Sequence, residues 1–110
     1  MTYNIKSNYK IYDIITSSSY NISPKTPSNS VFITDSSSNS ITINLPSVAD
    51  IPVGTRFHIK RAVGGFNVTL DPSGIEQIDQ FTTRSLAGSN WTFTIISNGT
   101  QWYIISFGAS

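Results

Sequence analysis

His58 is the only histidine of the chain, and cysteine is absent. A transition-metal site built on that imidazole would need a second nitrogen or sulfur ligand, and the sequence offers none. Serines are plentiful, yet no G-x-S-x-G elbow presents one as a nucleophile to pair with His58. The imidazole alternates with Arg56 and Lys60 about Phe57 and Ile59, a period-two pattern that puts His58 on the outward side of a strand, at a surface or an interface.

The acids Asp71, Glu76 and Asp79 fall within a short span and could supply oxygen ligands to a cation, but they lack the dense, spaced carboxylates of a calcium loop and read as a solvated turn. Nothing in their spacing sets two of them across a cleft, as glycoside hydrolysis requires. Gly64-Gly65 sits between two strands rather than opening a helix, so no helix N-terminus is there to hold a phosphate. The chemistry-bearing residues therefore describe a chain that is not an enzyme and takes no cofactor or metal. Trp91, Trp102 and Tyr103 remain as rings able to stack on a sugar.

Composition narrows the partners. Charged residues make up 12% of the 110 residues, with a formal net charge of +1. That is too little for a stripe that neutralises a run of phosphates, so nucleic acid is excluded as the expected partner. Serine, threonine and asparagine supply the missing polarity. The N-terminus has no basic region followed by an apolar core, and no apolar run reaches the ~18 residues of a membrane helix. No membrane insertion is expected, and a route outside the cell would be that of a particle component released by lysis. Without disulfides, stability must come from packing alone.

The elements that position these residues are strands. Ile41, Ile43 and Leu45 alternate with Thr42 and Asn44, while Gly and Pro punctuate the chain at Pro46, Pro52 to Gly54, Gly64-Gly65, Asp71 to Gly74, Gly88 and Asn98-Gly99. The pattern predicts strands over 9–15, 30–34, 40–45, 55–61, 66–70, 75–79, 91–97 and 100–107. Short strands at this spacing predict an all-β fold, a small antiparallel β-sandwich of jelly-roll type. Residues 1–19, with Tyr3, Tyr9, Tyr12 and a serine run, read as a tether, and residues 20–110 as the sandwich.

Asn98-Gly99 predicts a two-residue type I′ turn that sets Ser97 opposite Thr100 and Ile95 opposite Trp102. Trp91, Phe93, Ile95, Trp102 and Ile104 then share the core face, which leaves Tyr103 as the only one of the large rings free to touch a sugar. The other face carries Thr92, Thr94, Ile96, Gln101, Tyr103 and Ile105. It is too polar for an interior and too apolar for water alone, so either a subunit interface or the N-terminal segment should cover it.

Val31 to Asp35, Ser40 to Ser47, Arg56 to Lys60, Val68 to Gly74 and Asn98 to Ile105 occur in an order that resembles the trimeric head, or knob, domains of viral and phage fibres and tail fibres. The likeness runs from about Tyr20 to Ser106. It implies a homotrimer at the virion surface, attached to a fibre shaft on its N-terminal side and binding a host-surface receptor, with a glycan among the candidates. Ile96, Tyr103 and Ile105 are the expected trimer contacts. The receptor-contact candidates are Tyr103 and Gln80, Phe81 and Arg84; Phe81 to Asn90 has no placed counterpart in that group. The competing expectation is a monomeric carbohydrate-binding or appendage sandwich, since the same architecture hosts many functions.

Overall fold

Apolar and polar residues that alternate in sequence become buried and open side chains in turn. In a computed structural model that describes residues 9–108, the strands are β1 (Ile11–Ile15), β2 (Ser19–Asn21), β3 (Ser30–Asp35), β4 (Ile41–Asn44), β5 (Arg56–Val63), β6 (Val68–Asp71), β7 (Arg84–Leu86), β8 (Thr92–Ser97) and β9 (Trp102–Gly108). A 3-10 turn, Val48–Asp50, follows β4. The fold is all-β. Its five-stranded sheet has the order β1-β3-β5-β8-β9, and its four-stranded sheet the order β2-β4-β6-β7.

The pairing departs from the antiparallel jelly-roll expected. β1, β3 and β5 pair in parallel, as do β2, β4 and β6. Only β7, β8 and β9 add antiparallel edges. The cause lies in the chain path: from β1 to β6 each strand is followed by one in the other sheet, so each sheet collects every second strand in the same direction. Parallel pairing normally uses a helix as its crossover; here the crossover is the strand opposite.

Phe32, Phe57, Ile59, Ile95 and Trp102 on one inner face meet Ile41, Ile43, Val68, Leu70 and Leu86 on the other, all fully buried. An aromatic row crosses the five-stranded sheet: Tyr12 stacks on Phe32 at 4.7 Å, Phe32 meets Phe57 at 5.7 Å, and Phe57 meets Trp102 at 5.7 Å. The first member of that row belongs to the segment read as a tether. From residue 11 that segment is built into the sheet as β1, with Ile15 buried, and Ser19 already opens β2. The remainder of the expected tether, residues 1–8, lies outside the described residues. Removing residues 1–19 is accordingly expected to cost about 2–4 kcal/mol, because Phe32 loses its stacking partner and the Ile15 burial is lost. Urea denaturation of the truncated chain checks this, and an unchanged midpoint would return β1 to the status of a tether.

No strand forms at 75–79. Ile75 is 98% exposed, and Glu76 turns its carboxylate to the Ser47 hydroxyl (2.8 Å) and the Val48 N–H (3.1 Å), capping the 3-10 turn. The backbone N–H groups of Glu76 and Gln77 donate to the Ser73 carbonyl and to the Gln101 side-chain oxygen, so they enter no ladder.

Candidate functional site

The loop after Glu76 ends in a tight reversal. Ile78 and Phe81 exchange two backbone hydrogen bonds of 2.9 Å, and the residues between them, Asp79 and Gln80, both adopt positive φ (51° and 68°). Positive φ at both central positions defines a type I′ turn, which usually recruits Asn-Gly. Asp79-Gln80 carries the strain of left-handed backbone without a glycine. The turn is held from outside by its own carboxylate: Asp79 Oδ1 accepts the Ile104 N–H (3.0 Å), and Oδ2 accepts from Arg84 Nη1 (3.2 Å). The Arg84 guanidinium also lies over the Phe81 ring, 5.1 Å from its centroid.

Sequence and structure differ at the turn of the last hairpin. Asn98 donates its N–H to the Gln101 carbonyl (3.1 Å), and its side-chain Oδ1 accepts the Thr100 and Gln101 N–H groups (2.9 and 2.8 Å). This loop is longer than a type I′ turn, so Ser97 faces Trp102 and Ile95 faces Ile104. The slip is two residues, which keeps each side chain on its expected face. A β-bulge at Ile105 then reverses the parity of the strand end, and Phe107 comes to face Phe93. Its ring meets Trp91 edge-on at 4.8 Å and Phe93 at 5.6 Å.

Bulge and turn together shape a cleft of about 300 Å³ between β7 and the β8–β9 hairpin. Asp79, Arg84 and Ser85 form its polar side, and Trp91, Phe93, Ile104 and Phe107 its apolar side. Trp91, expected in the core, is only half-buried and lines this cleft. Its ring lies against Gly88, where a Cβ would collide with the indole nitrogen. Of the receptor candidates, Gln80, Phe81 and Arg84 gather around Asp79. Tyr103 points to the other side of β9, opposite Ile96 on the outer face of the five-stranded sheet. Trp91, weighed as a sugar-stacking ring, was set aside as core, and Phe107 went unrecognised because no sequence signal marks the bulge that turns it inward.

The two outer faces of the sandwich differ in kind. On the four-stranded sheet Ser19, Thr42, Thr69 and Ser85 form one cross-strand row, and Asn21, Asn44 and Asp71 another. Asn44 Nδ2 donates to Asn21 Oδ1 (2.8 Å), and the Thr69 and Ser85 hydroxyls are 3.0 Å apart. On the five-stranded sheet the outer rows contain Ile11, Val31, Ile33, Ile96 and Tyr103, with Ile105 at the bulge, 48% exposed. Arg56, His58 and Lys60 cross that face along β5, and His58 Nδ1 lies 2.8 Å from Thr94 Oγ1.

Partial burial, with the Arg56 cation second, holds the His58 imidazole below its usual value. A group whose folded pKa is depressed in this way resists protonation in the folded state, so its share of stability is present above the ordinary imidazole value of about 6.5 and is lost as pH falls below it. The melting temperature is expected to drop between about pH 7.5 and about pH 5.5. A His58→Gln chain melted at the same two values should show a smaller drop; an identical drop assigns the effect elsewhere.

The acids weighed as a cation site go to three places: Asp71 to the outer row of the four-stranded sheet, Glu76 to the 3-10 turn, and Asp79 to Arg84. Among the described residues no helix is long and apolar enough to cross a membrane. No protein-family model matches the chain, and no curated protein matches it.

Proposed function

We propose that the chain is a non-enzymatic attachment module, a fibre head of viral or phage type. In this reading it assembles as a homotrimer through the outer face of its five-stranded sheet and offers its loops to a receptor on the host surface. The observation that carries the reading is the contrast between the two outer faces. A sandwich that stands alone in water gains from polar residues on both, as the four-stranded sheet has. On the five-stranded sheet Val31 and Ile33 are parted from the β8–β9 side by Arg56, His58 and Lys60, but at that side Ile96, Tyr103 and Ile105 form an apolar patch of the kind that is covered.

The N-terminal segment is not what covers the Ile96 and Tyr103 end within the described residues, since β1 lies at the opposite edge of the sheet from β9. A second copy accounts for the patch by closed symmetry, which removes apolar surface from every subunit at once. Three copies also present three equal receptor sites, and linked weak sites gain avidity without any new contact. The cleft favours a second reading, a monomeric carbohydrate-binding module. Multi-angle light scattering of the purified chain at micromolar concentration separates the two. A mass of three chains is expected, and a clean monomer that retains ligand binding would leave the second reading standing.

A further inference from the structure

We propose that the cleft between β7 and the β8–β9 hairpin is a binding site for one neutral pyranose ring of a glycan, gripped at its hydroxyl edge by Asp79 and Arg84 and packed against Trp91 and Phe107. The inference rests on the attachment reading for its source of glycan, but its chemistry is local.

Charge decides the class of ligand. Arg84 and Asp79 form an ion pair at 3.2 Å, each about one-third exposed, so the polar wall is neutral as a unit. An anionic group drawn to Arg84 meets the Asp79 carboxylate, and a cationic group drawn to Asp79 meets the guanidinium. What the pair offers is a donor and an acceptor side by side. The guanidinium carries five N–H donors, of which its bond to Asp79 uses one, and each carboxylate oxygen keeps acceptor capacity beyond the single bond it makes to Arg84 or to Ile104. A pair of adjacent hydroxyls is the complementary group, because each hydroxyl donates and accepts at once.

The rest of the cleft calls for an apolar surface on the same small ligand. Trp91, Phe93, Ile104 and Phe107 face the ion pair across about 300 Å³, at the small end of ligand sites and suited to a single ring. A wholly apolar guest would desolvate Arg84 and Asp79 without replacing their water. A flexible polyol would fill the space but lose its freedom on binding. A pyranose has C–H groups on its ring faces and hydroxyls around its rim, and its ring is already rigid. The site is rigid as well: the Asp79-Gln80 turn fixes the carboxylate, and the Trp91 indole is wedged between Gly88 and Phe107. Such preorganisation lowers the ordering cost of a weak ligand.

The test follows the indole N–H signals of Trp91 and Trp102 by NMR while the intact chain is titrated with the methyl glycosides of glucose, galactose, mannose and N-acetylglucosamine. The expected result is that at least one shifts the Trp91 signal and leaves Trp102, which is fully buried, unmoved. Arg84→Met, which keeps the stem and removes the donors, is expected to weaken that glycoside about tenfold or more. Gly88→Ala, which displaces the Trp91 ring without touching the ion pair, should weaken it comparably. Silence of Trp91 to all four glycosides overturns the proposal, as does binding that survives Arg84→Met undiminished. A shift only with methyl sialoside, or only with N-acetyltyrosinamide, overturns it in favour of an anionic sugar or a peptide side chain. Glycoside binding at Trp91 without attachment of the chain to host cells would support the site and remove the attachment reading; attachment that Arg84→Met leaves intact would do the reverse.

Discussion

Trp102→Ala is expected to destabilise the fold by about 3–5 kcal/mol, the cost of a large aromatic removed from a well-packed core. The ring is fully buried and lies 5.7 Å from Phe57, at the end of the aromatic row that begins with Tyr12. The backbone of the same residue ties down the loop beside it: its N–H donates to the Gln77 carbonyl (2.9 Å), and its carbonyl accepts the Asp79 N–H (3.1 Å). A cavity here undermines the sheet and the strained turn together, leaving little scope for collapse to refill the space. Trp102→Phe separates shape from polarity. The indole Nε1 is buried without a hydrogen-bond partner, so a phenyl ring removes an unpaired donor while retaining much of the volume, and a loss of only about 1–2 kcal/mol is expected. Equilibrium denaturation of both variants gives the comparison. An alanine variant within about 1 kcal/mol of the parent would mean that the ring does not hold the core.

That Trp102 belongs inside was legible in the sequence although its partner was not. Face assignment depends on parity, and a turn longer than expected by an even number of residues moves every partner while leaving every face unchanged. Alternation at Ile41, Ile43, Phe57 and Ile59 identified buried side chains for the same reason, and all four are fully buried. Strand direction is another matter. A period of two is the same for parallel and antiparallel neighbours, and crossover through a facing sheet leaves no helical pattern to announce it, so β1 to β6 gave no local sign of running in parallel. β2 and β7, three residues each, are too short for alternation to register.

The cleft was less legible because it depends on two exceptions to local rules. Asn98-Gly99 carries the expected type I′ signal and does not use it, since the Asn98 side chain accepts the Thr100 and Gln101 N–H groups itself. Asp79-Gln80 lacks the signal and does adopt that turn, paid for by tertiary bonds from Asp79 to Ile104 and Arg84. Such bonds reach across 25 positions of sequence in the case of Ile104, and no window of propensity contains them. Asp79, where local preference loses to tertiary contact, is also a residue of the cleft wall, as strain placed at a working surface would produce.

If the chain assembles as proposed, Ile105→Asp is expected to dissolve the trimer without unfolding the chain. Ile105 is the extra residue of the β9 bulge and is 48% exposed, so a single subunit can turn an aspartate there into water at little cost. In the assembled head the same position adjoins the Ile96 and Tyr103 pair that the proposed interface covers, and three carboxylates would be carried into it. Each loses hydration and the copies repel one another, a cost that Arg56, opposite Ile96 on the same face, offsets only in part. A loss of at least a hundredfold in assembly, about 3 kcal/mol, is the expected scale. Light scattering should report a monomer with a circular dichroism spectrum like the parent's, and acidification towards the ordinary aspartate pKa should restore part of the assembly by neutralising the new groups. Thr42→Asp, on the polar face of the other sheet, supplies the control for added charge and is expected to remain a trimer. If Ile105→Asp also remains one, the sheet face around β9 is not the interface, and the Ile96, Tyr103 and Ile105 patch needs another occupant.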